Sequence, residues 1–238
     1  MSKTARYVLL GGHGKVSLHI TRIATKPPYN WQIDSIHRSP SQDKDIQDVG
    51  GHPVTLDIEK ASVTDLVEKF RGADGIIWSA GAGGKGGKER TWAVDFHGAV
   101  RAYDAAEAAG VKRFILVSAI DVRNRDVPPP NWYTKEDIER SDMMWQAIPE
   151  YMKAKLASEE ELYKRGGKLD WTVVRPSGLM DEPGTGKVAL GKAPLTSIPR
   201  EDVARVVIAV TLEKGTIGKA LDLSQGDTPI DEAIKSVL

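Results

Sequence analysis

The sequence predicts an α/β fold built on a doubly wound, mostly parallel β-sheet, as one domain with a small substrate-side region towards its C-terminus. Short apolar segments alternate with helical segments along the chain, which is typical of parallel strands joined by crossover helices. Several apolar segments lack the polar alternation of a half-exposed strand, as expected when helices cover both faces of a sheet. The first apolar segment leads into glycines and then a helix, which indicates ligand-binding loops at the strand ends.

Strands are predicted from short runs rich in branched and aromatic residues. Sequences such as RYVLL, GIIWS, RFILVS and WTVVR are apolar almost throughout. HPVTLD is assigned as a further, shorter strand. The predicted strands cover residues 6–10, 31–37, 52–57, 75–79, 113–118, 171–175 and 220–224.

Helices are predicted between these strands, and glycine or proline supports some of their ends. Gly110 follows an alanine-rich segment, and glycine commonly ends a helix. Pro229 is predicted in the first turn of a last helix, after a Thr228 cap. The main predicted helices cover residues 15–24, 62–70, 90–109, 148–165 and 200–213.

Two long segments, 121–147 and 177–199, are predicted to be irregular loops on the substrate side of one domain spanning residues 1–238. The first contains several large apolar side chains, which either line a hydrophobic substrate pocket or pack a small subdomain against the sheet. These side chains are Trp132, Tyr133, Met143, Met144 and Trp145.

Composition and charge argue against several classes of function. The 238 residues carry 33 basic and 33 acidic side chains, so no overall field favours nucleic acid or an anionic membrane. Cysteine is absent, which removes disulfides and thiolate metal sites and agrees with a reducing compartment. No apolar run reaches the roughly 20 residues of a bilayer span, and no secretory leader is visible. We expect a soluble cytoplasmic protein that acts on a small molecule, with no metal site.

The stretch Gly11-Gly12-His13-Gly14 lies where a dinucleotide-binding loop places its glycines, between the first strand and the first helix. Glycine permits a tight turn and close approach to a pyrophosphate, and the helix start offers free N–H groups. Ser17 replaces the usual third glycine and is small enough to be tolerated, with a slightly looser helix–strand approach. His13 either binds a phosphate, caps the helix or belongs to the turn alone. The alternative for the whole stretch is a strand-to-helix turn without a ligand.

The choice between the two dinucleotides depends on residues near the end of the second strand. Arg38 lies just past that end and favours NADP(H), because an arginine there can bind the 2′-phosphate. Asp34 is nearer the spacing of an NAD-type ribose ligand but lies within the strand. Asp57 follows the third strand, where its carboxylate could meet the adenine amino group. NADP(H) is therefore the favoured cofactor, with NAD(H) left open.

The glycine-rich segment 82–89 resembles a phosphate-binding P-loop but does not fit its pattern. Ala82 stands where the pattern needs its first glycine, and Glu89 replaces the hydroxyl residue that binds magnesium. The segment also follows the fourth strand. We predict a flexible loop at the rim of the cofactor cleft.

Tyr151 and Lys155 lie four residues apart on a predicted helix and therefore share one face. A tyrosine has an unperturbed pKa of about 10, and a nearby ammonium should lower the Tyr151 pKa towards useful acid–base chemistry. Ser118 ends the fifth strand, where its hydroxyl could bind a substrate carbonyl. The alternative is a partly buried aromatic ring beside a surface lysine.

With these features in place, the chain resembles the short-chain dehydrogenase/reductase superfamily, and most of all its atypical, NmrA-like, NAD(P)H-binding branch. The resemblance extends over nearly the whole chain and implies a Rossmann fold that carries NAD(P). Its most specific pieces are WTVVRPSGLMDEPGTGKV, SIPREDVARVVIAVTL and DLSQGDTPIDEAI. The other matching pieces are LLGGHGKVS, SIHR, LDIE, WSAGAG, FILVSAID and YMKAKLASEEEL.

The resemblance also implies a role for individual residues. Tyr151 would give or take a proton, Lys155 would contact the cofactor ribose and tune the Tyr151 pKa, and Ser118 would orient the substrate. Segments after several strands would line the cofactor. The candidate cofactor contacts are Gly11, Gly12, His13, Gly14, Lys15, Val16, Arg38, Asp57, Ile58, Ser79, Ala80, Gly81, Lys155, Pro176 and Ser177.

Three functions follow from these features. The first is an NADP(H)-dependent oxidoreductase acting on a carbonyl or alcohol, with Tyr151 as general acid/base. The second is a cofactor-binding regulator without turnover, which presents a surface to a partner protein. The third is a nucleotide-sugar epimerase or dehydratase, ranked last because little chain remains beyond the core to bind a sugar nucleotide. The helix 90–109 could also pair between subunits of a homo-oligomer.

Overall fold

The computed structural model describes residues 4–83 and 86–238. The strands are β1 Arg6–Leu10, β2 Gln32–His37, β3 His52–Thr55, β4 Gly75–Trp78, β5 Arg113–Val117, β6 Asp170–Pro176, β7 Gly178–Met180, β8 Lys187–Gly191, β9 Ser197–Pro199, β10 Lys219–Gln225 and β11 Thr228–Pro229. The helices are α1 Lys15–Ala24, α2 Asp43–Asp48, α3 Val63–Phe70, α4 Gly87–Thr91, α5 Ala99–Ala109, α6 Lys135–Ala147, α7 Pro149–Tyr163, α8 Arg200–Leu212 and α9 Ile230–Ser236. A π-helical turn, Trp92–Gly98, joins α4 to α5.

The central sheet has the strand order β11-β8-β10-β6-β5-β4-β1-β2-β3. From β3 to β10 in this order, neighbouring strands run parallel. At the other edge, β8 is antiparallel to β10 and β11 is antiparallel to β8. The predicted fold class, a doubly wound and mostly parallel sheet, is therefore confirmed.

Helices cover both faces of the sheet, as the apolar strands require. On one face, Ile20 of α1 and Val207 of α8 belong to a common buried cluster. On the other, Phe70 of α3, Tyr103 of α5 and Leu162 of α7 belong to a second cluster. Full burial of a side chain of this size contributes roughly 1.5–3 kcal/mol, so the sheet forms a rigid support for the loops at its edges.

The strand order reverses beside β1, which lies between β2 and β4. In open α/β sheets, ligands bind outside the carboxyl ends of the strands at this reversal. The segments that follow β1, β2, β3 and β4 therefore meet at one edge of the sheet.

The structure corrects three predictions about local structure. The segment 121–147 is not irregular throughout, because its second half forms α6. The segment 177–199 contains β7, β8 and β9, and β7 pairs with β9 in a small separate sheet. Pro229 lies just before the last helix, as its N-cap, and not in its first turn. Among the described residues, no helix combines the length and apolar character needed to cross a membrane.

Candidate functional site

The glycine-rich turn after β1 is packed too tightly for side chains at its first two positions. Gly11 has a φ of +79°, and a Cβ there would lie 2.7 Å from the Ala80 Cα. A Cβ on Gly12 would lie 2.5 Å from the Ser35 Cβ. The Gly14 N–H donates to the Gly11 carbonyl at 2.8 Å, which closes the turn and directs the chain into α1. Gly11 therefore lets the loop after β1 approach the loop after β4, and Gly12 lets it approach β2.

The first turn of α1 is free to bind an anion. Gly14 occupies the N-cap position with extended backbone and no side-chain cap, and the first turn contains no acidic residue. The N–H groups of a first helical turn have no partner within the helix, and the helix dipole favours a negative charge beside them. Ser17, in the third-glycine position, is fully buried, and its Oγ has no hydrogen-bond partner among the described residues.

A cavity of about 530 Å³ opens at this edge of the sheet, beside the α1 N-terminus. It is lined by segments that follow β1, β2, β3 and β4, as the strand-order reversal predicts. Gly83 of the segment 82–89 also lines it, in agreement with a rim position, but α4 begins at Gly87, so the end of the predicted loop is helical; Gly84 and Lys85 lie outside the described residues. The predicted cofactor contacts in its lining are Gly11, His13, Gly14, Lys15, Arg38, Asp57, Ile58, Ser79, Ala80 and Gly81.

The remaining predicted contacts do not line this cavity. Gly12 lies behind the turn against Ser35, and Val16 belongs to the apolar cluster under α1. Pro176 ends β6 and Ser177 follows it, on the other side of β5 from the cavity, and Lys155 of α7 also lies outside the lining. The Ser177 Oγ is buried and has no hydrogen-bond partner in the described part of the chain.

Arg38 and Asp34 lie in different surroundings, which separates the two dinucleotide alternatives. Arg38 is exposed at the cavity, and no described carboxylate forms an ion pair with it. Asp34 is buried, and its carboxylate accepts from the Arg6 Nε at 2.7 Å and contacts the His52 Nδ1 at 3.2 Å. The Asp34 carboxylate is therefore already used within the fold, and the Arg38 guanidinium is available to a phosphate.

His13 connects two loops and does not cap α1. Its Nε2 lies 2.7 Å from the Asp45 Oδ2, and its Nδ1 lies 3.0 Å from the Gln42 Nε2. Both ring nitrogens therefore contact the segment after β2. The alternative of His13 as a helix cap is wrong, because α1 has no side-chain cap.

Lys155 connects Tyr151 with the end of β5. The Lys155 Nζ lies 5.6 Å from the centre of the Tyr151 ring and donates to the Val117 carbonyl at 3.4 Å. Ser118, the next residue, is buried, and its Oγ has no hydrogen-bond partner among the described residues. Lys155 thus contacts both the Tyr151 ring on its own helix and the strand residue that precedes Ser118.

Asp95, which was not among the predicted site residues, lies in the π-helical turn and is fully buried. Its Oδ1 lies 3.0 Å from the Lys155 Nζ, and both side chains are almost completely inaccessible. The sequence contains one signal that could have indicated Asp95. Asp95 lies four residues before Ala99 and seven before Ala102, on a helical face that otherwise carries small apolar residues, where a carboxylate is unexpected.

Lys155 lowers the Tyr151 pKa as predicted, but it does not decide the net direction of the shift. Burial raises the Tyr151 pKa above its ordinary value and outweighs the attraction of the Lys155 ammonium, while Asp95 and Glu159 raise it further. Burial by itself would lower the Lys155 pKa, but the Asp95 carboxylate raises it, so Lys155 stays charged. The spacing in the sequence identified the Tyr151–Lys155 pair. The pKa values of the two residues also depend on the Asp95 and Glu159 carboxylates.

The substrate-side segment packs as a small subdomain around Asp121, which follows β5. The Asp121 carboxylate accepts from the Ser141 hydroxyl at 2.6 Å and from the Trp145 Nε1 at 3.1 Å. Tyr133 and Met144 pack against residues 193–195 in a third apolar cluster. Of the two predicted alternatives, packing of a small subdomain therefore holds for Tyr133, Met144 and Trp145. Trp132 and Met143 are exposed.

Asp222 of β10 is buried near this segment and gives a pH-dependent prediction. Burial raises its pKa from 3.8 to about 6, although Arg175 lies 3.7 Å away. Because the folded pKa exceeds the unfolded value, the stability that proton binding provides is lost as pH rises from about 4 to about 6. We expect Asp222→Asn to raise the Tm at about pH 8 more than at about pH 5. Thermal melts check this, with exposed Asp231→Asn as control; an equal change at both pH values would contradict it.

Comparison with known proteins identifies the family. A family model described as NAD(P)H-binding matches residues 11–214. The chain belongs to this NAD(P)H-binding family. A UPF0659 protein of Schizosaccharomyces pombe is 43% identical over 231 residues, which cover 96% of this chain and 93% of that protein. Bacillus subtilis YhfK, named an uncharacterized sugar epimerase, is 36% identical, covering 96% of this chain and 98% of YhfK.

The solved structure of the oxidoreductase ylbE from Lactococcus lactis has the same fold. It is 27% identical, with a TM-score of 0.78, and the match covers 97% of this chain and 95% of that one. The predicted relation to an NAD(P)H-binding family is thereby confirmed. Proteins of this family bind NAD(P)(H), and the uncapped α1 N-terminus and the Arg38 guanidinium have the donor chemistry that such a cofactor's phosphates need.

Proposed function

We propose that the protein is an NADP(H)-dependent oxidoreductase that transfers hydride between the nicotinamide and a carbonyl or alcohol carbon. The observation that carries this proposal is the contact of Lys155 with both the Tyr151 ring and the carbonyl that precedes Ser118. This contact supports a site in which Tyr151 supplies a proton and the Ser118 hydroxyl orients a carbonyl.

Each group in this proposal has a separate task. NADPH, when bound, supplies the hydride. The N–H groups at the start of α1 bind the pyrophosphate, and Arg38 binds the 2′-phosphate. The Ser118 hydroxyl donates a hydrogen bond to the substrate oxygen, and Tyr151 gives that oxygen a proton in the reductive direction.

Arg38→Ala should weaken NADPH binding by about 10- to 100-fold, because a charge-assisted hydrogen bond contributes roughly 1.5–3 kcal/mol. NADH lacks the 2′-phosphate, so its affinity should change little. Calorimetry with NADPH, NADP, NADH and NAD measures both. Arg71→Ala is the matched control, because Arg71 is also exposed but lies outside the cavity lining. Unchanged NADPH affinity in Arg38→Ala would remove the 2′-phosphate assignment.

Turnover is tested by screening carbonyl compounds while following NADPH absorbance. Consumption of NADPH with formation of an alcohol supports an oxidoreductase. Tight NADPH binding without consumption of any substrate favours the second candidate, a regulator whose protein partner senses the cofactor's redox state. Isomerisation of a sugar nucleotide without net NADPH consumption would favour an epimerase.

The proposal also covers the oligomeric state of the protein and its cellular compartment. The neutral overall charge and the absence of cysteine favour a cytoplasmic enzyme with a small-molecule substrate. Analytical ultracentrifugation of the full chain, with and without NADPH, measures whether it forms a homo-oligomer.

A further inference from the structure

Asp95 is a buried carboxylate whose position is set by an irregular piece of helix. It lies in the π-helical turn Trp92–Gly98, between α4 and α5, and its residue has no exposed surface. π-Helical turns are rare and occur often at functional sites. A buried carboxylate is costly unless charged or hydrogen-bonding groups surround it, so its contacts indicate what it does.

The Asp95 carboxylate contacts the loop after β4 with one oxygen and Lys155 with the other. Its Oδ2 accepts from the Ala82 N–H at 3.0 Å. Its Oδ1 lies 3.0 Å from the Lys155 Nζ and 3.1 Å from the place where a Cβ on Gly81 would lie. Gly81 and Ala82 both line the cavity at the strand-order reversal. Asp95 therefore joins the proposed cofactor loop directly to the tyrosine–lysine pair.

The ammonium of Lys155 is consequently balanced by a full negative charge at contact distance. The other charged group that acts on Tyr151 is Glu159, on the next turn of α7. The Glu159 carboxylate is held by Arg175, whose Nε donates to both of its oxygens at 3.1 Å. Burial is the largest factor that favours the Tyr151 phenol, and among the described residues the Asp95 and Glu159 carboxylates favour it further against the Lys155 ammonium.

We propose that Asp95 is a positioning residue that neutralises Lys155 and so keeps Tyr151 in its phenol form until a carbonyl substrate takes the proton. The part of this inference that concerns the substrate rests on the proposed function. In the reductive step, the carbonyl π-bond breaks, hydride from NADPH forms the new C–H bond, and the Tyr151 O–H bond breaks as its proton moves to the carbonyl oxygen. Water then reprotonates Tyr151. The oxidative step needs the phenolate and should gain rate only at alkaline pH.

Ultraviolet titration of the tyrosinate absorbance tests this without cofactor or substrate. The Tyr151 signal is the difference between the wild type and Tyr151→Phe. In the wild type it should appear above the ordinary tyrosine value of 10.0. In Asp95→Asn it should move down by about one pH unit or more, because the Lys155 charge is then uncompensated at short range. Asp95→Glu, which keeps the charge, should stay closer to the wild type.

Asp104→Asn is the matched control, because it removes an exposed carboxylate of α5 that contacts Arg165. The proposal is overturned if Tyr151 of the wild type titrates below 10.0, a measurement that needs no folded Asp95 variant. It is also overturned if folded Asp95→Asn titrates like the wild type. Failure of the carbonyl screen would refute the proposed function but would leave these titrations unchanged.

Discussion

Replacement of Tyr151 by phenylalanine is expected to lower kcat by about 10²- to 10⁴-fold, the usual contribution of a positioned general acid. The hydroxyl is the only group removed, and the ring that lies beside Lys155 is kept. NADPH affinity should change little, because Tyr151 does not line the cavity. Stopped-flow and steady-state rates with the substrate found in the screen, together with calorimetry, measure the two effects separately.

Tyr29→Phe is the matched control for this experiment. Tyr29 packs near Trp31, with ring centres 5.5 Å apart, before the start of β2 and therefore away from the carboxyl ends of the strands. Its rate should equal that of the wild type. Unchanged turnover in Tyr151→Phe would remove the proposed role of Tyr151 while leaving the cofactor assignment intact.

Glu159→Gln is expected to lower the free energy of unfolding by about 3–5 kcal/mol, because it removes the buried carboxylate that forms the shortest contacts with a largely buried cation, Arg175. Glu159 is fully buried on α7, where it accepts from Arg175 and from the Tyr163 hydroxyl. Arg175 retains the Tyr163 hydroxyl, at 3.1 Å, and the Asp222 carboxylate, at 3.7 Å. Urea unfolding measures the change, provided that the transition is two-state.

The control is Glu161→Gln on the same helix. Glu161 pairs with Lys164 at 2.6 Å at the surface, where such pairs contribute about 0–1 kcal/mol. A loss of less than about 1 kcal/mol in Glu159→Gln would show that the buried pair is not needed for stability.

Hydrophobic periodicity predicted the main sheet well but did not reveal α6. Three consecutive prolines precede it, and the helix is largely polar, so no apolar stripe marks it. Its N-terminus is stabilised by a capping box between Thr134 and Asp137, and the Asp137 carboxylate also accepts from the Leu195 N–H at 2.8 Å. This helix thus depends on local capping and on contacts with a distant segment, which hydrophobic periodicity does not detect.

The candidate site was predictable to the extent that its residues follow strand ends. Arg38 and Ser79 come directly after parallel strands and Asp57 comes two residues after one, and the fold brings these ends to one cavity. His13 shows the limit of this reasoning, because its two partners, Gln42 and Asp45, belong to a segment whose path the sequence did not predict.

The sequence by itself determined the doubly wound sheet, the glycine turn before α1 and the presence of Tyr151 and Lys155 on one face of a helix. These features depend on periodicity and on conformational limits that act between neighbouring residues. Only the tertiary structure decided the charge around Tyr151, because Asp95 approaches from another helix and both partners are buried. Burial raises the Tyr151 pKa and outweighs the effect of a lysine four residues away, and the Asp95 carboxylate, 3.0 Å from the Lys155 Nζ, raises that pKa further.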